Sequence, residues 1–272
     1  AACFANMLGL NISSAFNSAV TIYILIPFIL IPMLIFSGVM VKFDKLNPTI
    51  IVHNSVPMIG EVMVTRWAYE AMAVNQFKTN NYEKHFYAYD KKKSIADFKK
   101  NFWIPKLKTK NEDCLRNLDQ PESAEMLKND LLLLKNELQR GNLPFKEISD
   151  IFSVEMIDEL EVGSYTAELG KSLKLYFESL NTYYITTYNA VSKKKNLHIQ
   201  KLNDTKENKA LFLAVKDAYQ NKALSDLVTN ITEIDKILEL PGELVQQADP
   251  IYMDPAGDGN IRAHFFAPRK RF

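Results

Sequence analysis

The apolar and polar positions of this chain divide it at a single point. From Ala1 to Val41 there is no Asp, Glu, Lys, Arg or His, and the first charge is Lys42. Within that stretch Ala19 to Val41 reads AVTIYILIPFILIPMLIFSGVMV, 23 residues without a charge or a polar stripe. As a helix it would reach about 34 Å, enough for a hydrocarbon core of about 30 Å. A core helix of a water-soluble domain would carry a polar stripe. A cleaved signal peptide would be shorter and would come after a basic region. The pattern therefore predicts a transmembrane helix over 19–41, with Pro27 and Pro32 freeing the carbonyls of Tyr23 and Phe28 one turn back. The residues before it are rich in Ala, Gly, Ser and Asn, which suits close helix approach in lipid. They predict the end of another membrane helix and a polar turn near Asn11 to Asn17, so the chain reads as beginning inside a membrane domain.

Beyond Lys42 the pattern changes. Val56 to Phe77 is helical in period but interrupted by Glu61, Arg66 and Glu70, too charged to span a bilayer. Arg66 and Glu70 stand at i, i+4, the spacing of an ion pair on one helix face. Trp67 and Tyr69 suit a membrane–water boundary, which predicts a re-entrant or interfacial element; an ordinary amphipathic helix fits the same charges. Tyr82 to Leu118 is a charged, aromatic connector. Helical periodicity then places segments at Glu122–Arg140, Phe145–Leu160, Ser164–Ser192, Thr205–Ala223 and Ser225–Leu240, the first closed by Gly141 and the last by Pro241-Gly242. Alternating Val/Ile-rich strands and fixed-period repeats are missing. The predicted fold class is all-α: a transmembrane helix and a re-entrant or interfacial helix, followed by a soluble α-helical bundle.

Composition changes this picture little. With 33 basic and 32 acidic residues the net charge is +1, which gives no reason to expect a nucleic-acid partner. Lysines beside Phe98, Phe102 and Trp103 could suit nucleic acid or anionic headgroups. The acidic residues after them and the lack of clustered arginine favour an amphipathic helix docking its aromatics instead. Cys3 and Cys114 make neither a disulfide framework nor a metal site, and His53, His85, His198 and His264 are scattered. Gly170-Lys171-Ser172 lacks the glycine and strand context of a phosphate-binding loop. Asp254 to Asn260 lacks the ligand order of a calcium loop. No catalytic, cofactor-binding or metal-ligating set is predicted.

A family likeness rests on three landmarks in order: Leu34-Ile-Phe-Ser-Gly-Val-Met-Val41, Val56-Pro57, and Thr65-Arg-Trp-Ala-Tyr-Glu-Ala-Met-Ala-Val-Asn-Gln-Phe77. Together they resemble the fifth membrane helix and following loop of permeases of the G-subfamily-type ABC transporters, the ABC-2-type membrane domain. The likeness covers residues 1–80. It implies a membrane segment over 1–43, a re-entrant loop over 44–80, a connector over 81–120, and an inserted extracytoplasmic helical domain over 121–248. A tail over 249–272 would lead toward a final membrane helix. In the family a short loop reaches that last helix directly, so the long insertion is this chain's largest departure.

The resemblance also implies roles. The family's apolar plug falls on Val39 and Met40, where the family has paired leucines, and the substrate-facing side of the helix includes Ile31 and Leu34. ATP and Mg would be held by a nucleotide-binding domain of the same or an associated chain, with no cofactor in these residues. The expected partners are the lipid bilayer, that domain, and a second permease half or a second copy. The implied function is a permease portion of an ATP-driven exporter in a bacterial cytoplasmic membrane, working by alternating access. Lysines between Lys91 and Lys110 favour a cytoplasmic location by positive-inside counting, a rule that weakens for long domains. The alternative is a membrane-anchored helical scaffold with no transport role.

Overall fold

The computed structural model describes residues 2–37, 60, 62–118, 120–140, 143, 152–229, 236–247, 250 and 252. Backbone contacts divide the chain into two compact units. One comprises Ala1–Lys84, Tyr219–Val228 and Tyr252–Phe272; the other comprises His85–Ala218 and Thr229–Ile251.

The first unit begins with two helices, α1 (Ala2–Ala15) and α2 (Ala19–Ile35). Helix α2 closes at Ile35, because Phe36 leaves helical geometry while its N–H still reaches the Pro32 carbonyl at 2.9 Å. The Ser37 hydroxyl turns back to donate to the Leu34 carbonyl at 2.6 Å, a side chain replacing the next turn of backbone bonds. The continuous helix expected over 19–41 is thus interrupted at Phe36, and residues 38–41 lie outside the described residues. Among the described residues no helix is long and apolar enough to cross a membrane. Helix α3 (Val64–Lys78) comes next, burying Arg66, Glu70, Ala73 and Phe77 on one face. The Thr79 hydroxyl closes it on the Asn75 carbonyl at 2.8 Å.

In the second unit the aromatic connector folds as a nearly unbroken helical rod. It comprises α4 (Tyr87–Phe98), a π-helical turn over Lys99–Trp103, and α5 (Ile104–Asn117). The widened turn has a local cause. Pro105 cannot donate to the Asn101 carbonyl and its ring crowds that group, so the ladder widens ahead of it and the Ile104 N–H bonds to Lys99 instead. A short 3₁₀ turn at Pro121–Ser123 leads into α6 (Ala124–Arg140). The longest helix, α7 (Ala167–Leu202), runs along both α4 and α5, while α6 packs on α5. Thr166 starts α7 by accepting from the Leu169 N–H at 3.2 Å, and α7 continues ten residues past the expected stop at Ser192. Helix α8 (Lys206–Tyr219) belongs largely to this unit, and α9 (Lys222–Val228) to the first.

The core of the second unit is made by Trp103, Leu107, Leu134, Leu138, Leu173 and Tyr176 with their neighbours. Each fully buried leucine contributes about 2 kcal/mol. Gly170 lets α5 and α7 approach: a Cβ there would lie 2.5 Å from Leu115 Cδ2 and overlap the Tyr165 hydroxyl. Gly170-Lys171-Ser172 is therefore a packing site in a helix interior.

Two expected helices are corrected where they are described. In the Phe145–Leu160 segment positions 145–151 lie outside the described residues, and 152–160 form no α-helix but a 3₁₀ turn at Glu155–Ile157. In the segment expected as one helix over Ser225–Leu240, α9 ends at Val228, positions 230–235 lie outside the described residues, and the last four form β1 (Ile237–Leu240), paired antiparallel with β2 (Glu243–Gln246). Pro241-Gly242 is the hairpin turn between them, not a helix stop. Gly242 sits at φ 70°, which a side chain disfavours, and a Cβ there would press on Asn136 Nδ2 at 2.8 Å. The fold is therefore mostly helical with one small hairpin docked on α6.

Candidate functional site

The apolar start of the chain is the most unusual surface in the structure. On α2, Val20, Ile24, Phe28, Ile31 and Leu34 recur at helical spacing along one side and are 46–75 % exposed. The opposite side carries Ile22, Leu25, Ile29 and Met33, of which only Met33 is buried. Neither side offers water a charged group, and the polar side-chain atoms of α2 are the Thr21 and Tyr23 hydroxyls. Helix α1 likewise buries no residue, leaving Phe4, Met7 and Leu10 exposed. Of the residues assigned to a path, Ile31 and Leu34 lie on the exposed stripe; Val39 and Met40 fall outside the described residues.

The end of α2 is tied to α3. The Thr65 hydroxyl donates to the Met33 carbonyl at 3.0 Å, satisfying one of the acceptors a helix C-terminus leaves open. One residue on, Arg66 Nη2 lies 3.0 Å from Glu70 Oε2, with the two side chains 3 % and 5 % exposed. The Arg66 guanidinium also stacks on Trp67, 4.3 Å from the ring centroid. Both charges thus sit on the buried face of α3, in line with Ala73 and Phe77, where an ordinary amphipathic helix would place them in solvent. Removing one partner from such a pair strands the other charge.

Several polar groups of the second unit hold its elements together. Glu137 accepts from Trp103 Nε1 at 2.7 Å and from the Leu244 N–H at 3.0 Å, joining the π-helical turn, α6 and the hairpin. Asn111 donates to the Gly170 carbonyl at 2.9 Å and accepts from the Tyr165 hydroxyl at 2.8 Å. Burial pushes that hydroxyl well above the usual tyrosine range. Lys110 reaches Asp130 at 2.8 Å and Glu239 at 2.5 Å, and Lys106 reaches Glu239 at 2.9 Å. Burial alone would lower the Lys110 pKa, but the hydrogen bonds and charges of Asp130 and Glu239 outweigh it and hold the ammonium above its ordinary value. Burial would raise Glu239; the two lysines outweigh that and hold its carboxyl low. The Cys114 thiol, fully buried, is pushed up to about 12 by desolvation and by the charges of Asp130 and Asp113, so it stays protonated and unreactive.

These cross-braces were readable only in part. Asp130 and Glu137 stand seven residues apart and interrupt the Leu127–Leu131–Leu134–Leu138 stripe, as Asn111 interrupts Leu107 and Cys114. Charges at core register are the signal that would have found them. The histidines are not all scattered: the folding of α7 back along α4 places the His85 and His198 rings 6.1 Å apart, around Phe86 and Tyr89. Among the described residues no group of three or more His, Cys, Asp or Glu side chains could hold a metal ion.

No protein-family model, curated protein or solved structure matches the chain.

Proposed function

We propose that this chain is a permease portion of an ATP-driven ABC exporter, contributing part of the translocation path, an apolar gate and an extracytoplasmic helical domain. The observation that carries the reading is α2, apolar on every side and largely exposed, which asks for a non-aqueous surround. The ordered landmarks from Leu34 to Phe77 narrow that surround to a permease. In this reading α1 and α2 meet lipid or a second permease half, and Ile31 and Leu34 face the conduit. Val39 and Met40 close its outer end. The buried Arg66–Glu70 pair stiffens a re-entrant segment pinned to α2 through Thr65. ATP hydrolysis takes place on a nucleotide-binding domain outside these residues and reaches this chain as a conformational change.

One experiment with two readouts tests this. Met40→Asp is introduced into the assembled transporter together with Lys171→Cys, at an exposed position of the second unit, and Cys3→Ser. The expected result is loss of export while the introduced thiol is still labelled by an impermeant reagent in intact cells. Normal export by the inserted variant overturns the gate. Labelling only after lysis overturns the extracytoplasmic placement and favours a membrane-anchored scaffold.

A further inference from the structure

The antiparallel packing of α7 on α4 gathers two basic segments that lie about a hundred residues apart in sequence. Lys195 meets Asp90, while Lys93 and Lys100 lie 5.1 and 3.8 Å from the Tyr188 ring centroid, so 90–100 runs beside 188–195, and α7 continues past it through 201. Together 90–100 and 188–201 carry nine lysines against two aspartates. Both aspartates are engaged, Asp90 with Lys195 and Asp97 with Lys100 at 3.2 Å, and α7 has no acidic residue beyond Glu178. Lys92, Lys193, Lys194 and Lys201 are exposed. A near-neutral chain thus keeps a strongly cationic face on one pair of helices.

The same region exposes aliphatic side chains. Leu197 is 48 % exposed, and Leu211 and Leu213 on α8 are 64 % and 48 % exposed. These residues adjoin His198 and Phe212, whose rings pack 6.0 and 6.1 Å from that of Phe86. Nucleic acid would call for stacking rings and arginine forks. Here Phe86 and Trp103 are buried, and neither segment contains an arginine. Lysines around protruding leucines match instead a bilayer interface, with ammonium groups among phosphates and aliphatic tips below them.

We propose that the α4–α7 face of the second unit is a docking surface for an anionic phospholipid bilayer. It rests on that unit's own surface and not on the exporter reading. Docking concentrates this unit at the membrane plane through phosphate contacts that salt weakens.

The test uses the whole chain in vesicles of phosphatidylcholine, with or without one quarter phosphatidylglycerol. A nitroxide is placed at Leu197→Cys in a Cys3→Ser background; Cys114 stays unlabelled because it is fully buried. The expected result is contact with lipid-dissolved oxygen in the anionic vesicles only, lost at high salt. In the Lys92→Gln, Lys193→Gln, Lys194→Gln, Lys201→Gln variant the docked-to-undocked ratio falls by about a hundred-fold or more. The exposed positions leave the melting curve unchanged, and the salt arm needs no variant. Equal water contact in both vesicle types overturns the proposal, as do lipid contact without anionic lipid and an unaffected lysine variant. Displacement by single-stranded RNA at matched phosphate overturns it in favour of nucleic acid. A second nitroxide at Phe28→Cys reports α2 separately: water contact there counts against the exporter reading while the Leu197 result still decides the basic face.

Discussion

Helices α2 and α6 are both 17 residues long, yet they solve opposite problems. Helix α6 buries Leu127, Asp130, Leu131, Leu133, Leu134, Glu137 and Leu138 and turns its remaining charges outward. Its apolar stripe is matched by α5 and the hairpin. Helix α2 buries only Met33 and has no charged side to turn outward. Hydrophobicity alone therefore does not mark a core. A helix enters a core when its apolar residues share one side and other elements cover that side; α2 is apolar in every direction, and α3 meets little more than its end.

The contrast can be broken by truncating one side chain in each helix. Leu134→Ala removes a side chain with no exposed area and should cost about 3–5 kcal/mol in a urea melt monitored by Trp103 fluorescence in a Trp67→Phe background. Phe28→Ala, on a residue 75 % exposed, should leave that melt within about 0.5 kcal/mol. Equal losses would mean that α2 is packed as a core helix. A smaller effect is expected at the polar edge of α6. Trp103→Phe keeps most of the ring but withdraws the donor from the buried Glu137 carboxylate, for a loss of about 2 kcal/mol by circular dichroism. An unchanged melt would show that Glu137 is satisfied without the indole.

The smallest effect is electrostatic. Glu239 has its folded pKa lowered, so its contribution is present above the ordinary carboxylate range, near pH 4, and is lost as pH falls through the folded value. Lys110 has its folded pKa raised, so its share is present below about pH 10 and is lost as pH rises through the folded value. Because Glu239 is 36 % exposed, solvent screening keeps its part under about 1 kcal/mol. Glu239→Gln should flatten the acid limb of a stability–pH curve and leave pH 6–9 little changed. An unaltered acid limb would mean that other carboxylates set it.

How much was legible divides along the same line. The stripes of α6 and α7 announced themselves because each has one apolar side at period 3.6, a local property of the chain. The docking of the connector's aromatics was readable from the same logic, with Trp103 now in the core. The hairpin was missed because Ile237-Leu-Glu-Leu240 is short enough to fit either period, and Pro-Gly ends a helix as readily as it turns a hairpin. Its strand state depends on Glu137, more than a hundred residues away, accepting the Leu244 N–H. The i, i+4 spacing of Arg66 and Glu70 was visible, but their burial was not, since spacing says nothing of which side of a helix is covered. Val39 and Met40, to which the resemblance assigns a gate, lie outside the described residues.

The sequence by itself determined where charge begins, that the first segment has no side fit for water, and that most of the chain beyond Lys42 is amphipathic helix. Those are properties of neighbours along the chain, and side-chain chemistry with helical period suffices to read them. Only the tertiary structure decided that a charged pair would be buried on α3, that Glu137 would tie a π-helical turn to a hairpin, and that lysines about a hundred residues apart would share one face. Each of these depends on which elements pack together, a choice made by long-range burial and hydrogen-bond satisfaction that no local window contains.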